Sequence, residues 1–380
     1  MFVDGFMKVQ LGSFLSEVNE KTTKNNQYPV LTSSKSGLYL QSNYFNKQVA
    51  SKDNTGYKII KRNQFTYRAM SDTGKFFPNM LDCADVGIVS PAYPVFEISD
   101  KSVIIPEYLK YFFKSNNFQH SIASFAQGST RTSVKFNKMK TIIINIPSIE
   151  TQMETIEIIK KVSTIITHLH TQLEKLDLLV KARFVEMFGN IENMCTIADV
   201  CSIITDGTHQ PPKFTTDGIP FLFVSNIATN EIVYNAEKFI SEETYNDLYK
   251  RTPIEIGDII LSTVGSYGHP AIVKTNKKFL FQRHIAYLKP IPTTINSIYL
   301  HRAILSDNVQ RQIDERVKGI AQKTLNLSEI RKIVIPAPPL ELQTQFANFV
   351  KQVDQSKSIL QQELTQTQTL FNSLMQEYFG

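Results

Sequence analysis

From Glu150 to Phe188 the chain runs without proline or glycine, and apolar side chains return in steps of three and four at Ile159, Val162, Ile166, Leu169, Leu173, Leu176, Val180 and Met187, with Arg183 the one polar member. That spacing predicts a helix with a heptad seam. A second stretch carries Val350, Val353, Leu360, Leu364, Phe371, Leu374 and Tyr378 in the same rhythm, with Lys357 and Thr367 as polar members. At ~1.5 Å per residue each helix spans on the order of 58 Å, too long for the buried core helix of a small domain. Pairing with each other as an antiparallel coiled coil is the simplest way to cover both seams, and it gives approximate two-fold symmetry. Packing of each helix on its own domain is the alternative.

Between the helices the pattern changes to short apolar runs bounded by turn residues, such as Tyr93–Ile98, Pro220–Val224 and Gly257–Leu261, which predict strands. Residues 104–126 and 295–317 have helical spacing. Each is followed by a polar loop, Gly128-Ser129-Thr130-Arg131 or Gly319-Ile320-Ala321-Gln322-Lys323. The expected class is α+β: two pseudo-symmetric globular domains over 1–148 and 191–340, and two long helices over 149–190 and 341–380.

A shift of 191 residues lays 108–189 on 299–380 without a gap, matching Tyr108 with Tyr299, Ser115 with Ser306, Gln119 with Gln310, Pro147 with Pro338 and Gln152 with Gln343. The alignment closes on Glu186, Phe188 and Gly189 over Glu377, Phe379 and Gly380. Upstream the likeness thins, and Leu11-Gly12 meets Ile197-Ala198 at a shift of 186. Alike helices and divergent globules suit a protein that reads two different things at a fixed separation.

Composition adds limits. With 42% hydrophobic residues each domain can have a core, and no apolar run approaches the ~18 residues of a membrane span, so a cytoplasmic chain with no membrane partner is expected. The start MFVDGFMKVQ lacks a basic head followed by an apolar stretch. Cys83, Cys195 and Cys201 match no metal-ligand spacing and read as buried thiols. The net charge of +6 is unevenly spread: residues 1–148 hold 18 Lys and Arg against 10 Asp and Glu, whereas 191–340 hold 16 against 15. A basic first domain fits a phosphate-binding face, although a solvated surface with no partner is the commoner source of an excess of this size.

The run Asp206-Gly207-Thr208-His209-Gln210-Pro211-Pro212, followed by Gly218-Ile219-Pro220-Phe221-Leu222, Gly257-Asp258-Ile259-Ile260 and the spaced pair Gly265 and Gly268, resembles the target-recognition domain of type I restriction-modification specificity subunits. The resemblance covers the whole chain, since that family has two such domains, each followed by a long helix. In the first domain Tyr28–Leu38 replaces the D-G-T-H stretch and Asn63-Gln64-Phe65-Thr66-Tyr67 stands where the second has Gly-Asp-Ile-Ile, which points to a different half-site.

The resemblance implies that the chain reads a split, asymmetric site on double-stranded DNA. It also implies that the paired helices are a spacer and the docking site for methyltransferase subunits, two by symmetry, through which restriction and translocase subunits join. Candidate DNA-binding residues are Ser33, Lys35, Tyr67, Arg68, Lys75, Ser129, Thr130 and Arg131 in the first domain. In the second they are Thr208, His209, Lys213, Ser266, Tyr267, Arg283, Gln322 and Lys323. Hydroxyl, amide and guanidinium groups can meet base edges or phosphates, and equally belong to solvated turns. His209 also fits a role bonding its own loop, and Gly207 and the prolines shape the backbone.

Catalytic signatures are missing from the sequence. Gln210-Pro211-Pro212-Lys213 and Ala337-Pro338-Pro339-Leu340 lack the leading amide or acid and the following aromatic of a base-flipping loop, and no G-x-x-x-x-G-K-[ST] occurs. Asp217, Glu255 and Asp258 match no nuclease spacing. A non-catalytic chain without a cofactor is therefore expected, with S-adenosylmethionine on the methyltransferase partner and ATP and Mg on the restriction partner. The competing reading is a coiled-coil scaffold whose two globules hold proteins.

Overall fold

Two helices of 40 residues each, Ile149–Phe188 and Leu340–Phe379, occupy the two heptad stretches. The computed structural model describes residues 6–44, 51–126, 132–319 and 323–380. The chain divides into two units, Met1–His170 with Gln362–Gly380, and Thr171–Gln361, so each unit holds part of both helices.

In the second unit the rings of Phe184 and Phe188 lie 5.6 and 5.3 Å from that of Phe346, while Lys357 Nζ donates to Asp177 Oδ1 at 2.7 Å. Numbers fall along one helix as they rise along the other, so the pair is antiparallel. In the first unit Ile156 and Ile159 share a core with Phe371, Leu374 and Phe379. Of the seam positions, Ile159, Val162, Leu169, Val180, Val350, Val353 and Leu364 are buried, and Ile166, Leu173, Leu176, Leu360, Phe371 and Leu374 are half-buried. Lys357 interrupts the apolar seam, and its ion pair shows how: one polar member with a specific partner on the facing helix fixes the register.

Both units contain a four-stranded antiparallel sheet. In the first the order is Leu15–Val18, Val95–Ile98, Phe65–Thr66 and Asn79–Met80. In the second it is Cys201–Asp206, Ile285–Pro290, Ile259–Ser262 and Pro270–Ile272. Each unit also closes its ends with a two-stranded pair, Phe6–Gln10 with Ile143–Pro147 and Met194–Thr196 with Val334–Pro336. Leu11 N–H donates to Ile142 O and Ile197 N–H to Ile333 O, both at 2.9 Å. The shift of 186 on one strand and 191 on the other is therefore built into the structure.

The residues that align in the repeat are those that hold each unit together. Gln152 accepts from Ile105 N–H and donates to Val103 O and Pro147 O, and Gln343 repeats this with Asn296, Thr294 and Pro338. Ser115 and Ser306 are N-caps, which split each predicted helical stretch in two: Pro106–Phe112 and Asn116–Ala123, then Ser297–Ile304 and Asp307–Arg316. Tyr108 packs against Phe379 with centroids 4.9 Å apart, and Tyr299 against Phe188 at 4.8 Å. Each unit is thus closed by the end of the helix that follows the other globule, which explains why the E-x-F-G ending recurs.

The cysteines depart from expectation. Cys201 is a buried thiol, pushed up to about 12 by burial, but Cys195 is half-buried and Cys83 exposed. Cys83 Sγ lies 3.4 Å from Leu38 O in a surface loop, where local turn geometry rather than hydrophobicity places it.

Candidate nucleic-acid interface

The turn Asp206-Gly207-Thr208-His209 begins where strand Cys201–Asp206 leaves the second unit's sheet. Gly207 N–H donates to Ile285 O, Thr208 N–H and Oγ1 both donate to Phe281 O, and Arg283 N–H donates back to Thr208 O at 3.0 Å. A Cβ on Gly207 would stand 2.1 Å from Phe281 O, so only glycine lets the two backbones approach. Asp206 holds two half-exposed side chains: Oδ2 lies 3.0 Å from His209 Nε2 and Oδ1 2.6 Å from Arg251 Nη2. His209 bonds its own loop, as its spacing allowed, and still presents its other edge to solvent.

Beside this turn lies the loop after Ile259–Ser262. Gly265 and Gly268 have φ of 73° and 81°, and Gly265 N–H donates to Lys323 O. Tyr267 OH donates to Asp314 Oδ1 at 3.0 Å while Lys323 Nζ sits 5.9 Å from its ring centre. Thr263 N–H donates to His284 O, and Leu325 N–H to Thr263 O, which ties the 281–285 turn and the 323–325 segment to the same place. His284 is pushed below its ordinary value by burial and then by the charge of Arg283, whose Nε lies 3.4 Å from it.

In the register of this sheet Asp206, Ile285, Ser262 and Pro270 share one end. Thr208, His209, Ser266, Tyr267, Arg283 and Lys323 all issue from turns at that end, although they are spread over more than a hundred residues of sequence. Lys213 is exposed at the head of Phe214–Thr215, in the unit's other sheet. Gln322 lies outside the described residues.

In the first unit the corresponding end is formed by Val18, Val95, Thr66 and Asn79. The buried Asn79 reaches from it to the Leu31–Ser33 and Leu38–Leu40 hairpin, donating to Ser33 Oγ at 3.0 Å and Ser34 O at 2.8 Å. Lys35 is exposed in that hairpin's turn; Arg68, 3.7 Å from Asp72, and Lys75 are exposed in the loop joining Phe65–Thr66 to Asn79–Met80. Ser129, Thr130 and Arg131 lie outside the described residues.

Tyr67 is a correction. It is fully buried, and its hydroxyl donates to Val134 O at 3.0 Å, so it cannot offer a face to a duplex. It follows strand Phe65–Thr66 into the core, where its hydroxyl anchors Val134. Sequence reasoning also passed over Asp206 and Arg251 as side chains of the site. The signal for Asp206 was present, an acid three residues before His209; Arg251 lies 45 residues away and gave none.

Asp217, Glu255 and Asp258 do not converge on a metal site. Asp258 is buried, its carboxyl raised by burial against the pull of hydrogen bonds from Glu255 N–H and Tyr287 OH, and Glu255 pairs with Lys289 at 2.8 Å. Among the described residues no group of three His, Cys, Asp or Glu stands close enough to hold a metal ion, and no helix is long and apolar enough to cross a membrane.

Comparison with known proteins bears on the same two segments. The family described as type I restriction modification DNA specificity domain matches residues 4–177 and again 192–368. The EcoBI specificity subunit of a type I restriction enzyme from Escherichia coli is 29% identical over 171 residues, 45% of this chain and 36% of that protein. A putative MjaX specificity subunit from Methanocaldococcus jannaschii is 26% identical over 165 residues, 42% of this chain and 38% of that one. These matches span little more than a third of either relative. The crystal structure of a type I restriction-modification S subunit from M. genitalium has the same fold, with a TM-score of 0.56 at 14% identity over 99% of this chain and 96% of that one.

Proposed function

Because this chain belongs to the type I restriction-modification DNA specificity family, we propose that it is the target-reading subunit of a restriction-modification assembly, non-catalytic in itself. Each unit reads one half of a split, asymmetric duplex target. The observation that carries this is the gathering of polar and cationic side chains on turns at the equivalent end of each unit's sheet: Ser33, Lys35, Arg68 and Lys75 in the first, and Thr208, His209, Ser266, Tyr267, Arg283 and Lys323 in the second, where backbone hydrogen bonds hold the turns. Such groups supply donors for base edges and phosphates without local unfolding.

The partners follow from the same reading: double-stranded DNA, two methyltransferase subunits carrying S-adenosylmethionine, and restriction subunits carrying ATP and Mg, all in the cytoplasm. The first long helix supports the docking of methyltransferase subunits. Beyond its covered seam it exposes Ile158, Ile165 and Leu179 at multiples of seven, with Leu178 and Val185 beside them, an apolar stripe of the kind a further helix covers.

The test uses the chain assembled with its methyltransferase partner and a pool of random duplexes. Sequencing the retained fraction is expected to return one motif of two dissimilar parts with a constant gap, bound more weakly as salt rises. Retention without sequence enrichment would overturn the reading.

A further inference from the structure

Helix Ser297–Ile304 carries two buried polar atoms, His301 Nδ1 and Arg302 Nε, that have no hydrogen-bonding partner among the described residues. His301 is 4% exposed, and its Nε2 donates to Pro270 O at 3.0 Å, with Asn230 O at 3.3 Å. Burial holds the ring neutral, so Nδ1 is an acceptor with no donor to meet it. Arg302 Nε–H is a donor with no acceptor. Buried groups of this kind are rare in folded proteins, because each forfeits the hydrogen bond it made with water. The repeat does not require them: the shift of 191 sets Lys110 and Tyr111 at these places in the first unit, where Lys110 Nζ pairs with Asp82 Oδ2 at 2.6 Å.

Both residues line two cavities inside the second unit, of about 760 and 650 Å³. Because His301, Arg302 and Asp354 belong to the lining of both, they form the wall between them. That wall is loosely held: Arg302 Nη2 stands 3.5 Å from Asp354 Oδ1, long for an ion pair. A swing of the Arg302 side chain joins the cavities and opens both atoms to a ligand. The larger cavity has the volume of a small-molecule site, with Phe184, Leu305 and Val309 in its apolar lining. Its four basic and four acidic side chains balance, so it favours neither an anion nor a cation. A neutral group with a donor beside an acceptor answers both atoms, and an amide edge, N–H next to C=O, is the simplest such group.

We propose that this cavity binds a small neutral molecule through an amide edge, its N–H donating to His301 Nδ1 and its C=O accepting from Arg302 Nε. None of the described DNA-binding candidates lines it, so the site stands apart from the DNA-reading function. The test is saturation-transfer NMR on the full chain with benzamide, uracil and benzoate as probes. Benzamide or uracil is expected to bind saturably below ~10 mM, whereas benzoate, which has the ring of benzamide but no N–H, is expected not to bind. Binding by benzamide alone identifies a carboxamide ligand, and binding by uracil alone a nucleobase. Leu305→Phe fills the cavity from its wall and His301→Phe removes the acceptor, and each is expected to weaken binding at least about tenfold. Matched thermal unfolding shows that each variant is folded. Should His301→Phe fail to fold, the nitrogen resonance of His301 Nδ1 in the wild type carries the same information, since it moves upfield when a probe donates to it. No saturable binding by either amide, benzoate bound as tightly as benzamide, undiminished binding by folded Leu305→Phe, or a stationary Nδ1 resonance at saturation would overturn the inference.

Discussion

His301 illustrates how far a single residue's environment departs from what its place in the sequence reveals. It sits on helix Ser297–Ile304, 4% exposed, with Nε2 within 3.3 Å of Asn230 O and 3.0 Å of Pro270 O. Two carbonyls at one nitrogen require that nitrogen to carry the proton. Burial and then the neighbouring Arg302 push the imidazole down to about 3. The unfolded chain takes up this proton near pH 6.5, where the folded chain still refuses it, so stability is complete above pH 6.5 and falls as pH drops towards 3. Urea midpoints between pH 7 and pH 4 are expected to decline less steeply for His301→Asn than for the wild type; equal slopes would show that His301 is not the group responsible. Helical spacing over 295–317 placed His301 on a helix, but nothing in the sequence showed that its imidazole is buried. Spacing placed His209 correctly within its loop, and misplaced Tyr67, because local composition records polarity but not which way a strand end turns.

At the level of elements, the heptad stretches were legible because a 3.5-residue period over so long a run has one physical solution, and the strands were legible as apolar runs between turns. The structural reason for the repeat was less so. Gln152 and Gln343, which satisfy the same three backbone groups in each unit, appeared only as aligned residues. Asn63 and Gly257 share a left-handed backbone at φ of 67° and 97° before equivalent strands, where Gln64 and Asp258 cap the turn by accepting from Lys61 and Glu255 N–H. Aromatic closure of each unit was also hidden, since Phe184 and Phe188 in the second unit and Phe379 in the first fall outside the steps of the seam. A helix packed on a globule buries a wider face than one packed on another helix. Phe188→Ala and Phe379→Ala each remove a buried ring from a unit's core and are expected to lower stability by about 3–5 kcal/mol in urea unfolding. A midpoint unmoved by either change would show that the helix ends do not close the units.

For the molecule as a whole, two units of one architecture hold different turns at the equivalent sheet end. The first presents the Ser33 hairpin and the Arg68 to Lys75 loop, the second the Thr208, Ser266 and Arg283 turns. Residues 1–148 carry an excess of basic side chains and 191–340 are near neutral, so under the proposed function electrostatic attraction to DNA is unequal between the halves, whereas base reading falls to both. Sequence could show that the halves differ; it could not show which turns meet, because register between strands far apart in the chain decides that. The most direct measurement is a genome-wide map of methylated adenines in cells with and without this chain, with its methyltransferase partner present in both. The account predicts a two-part asymmetric motif, methylated only when the chain is present. An active methyltransferase whose methylation map is the same in both cells would contradict it.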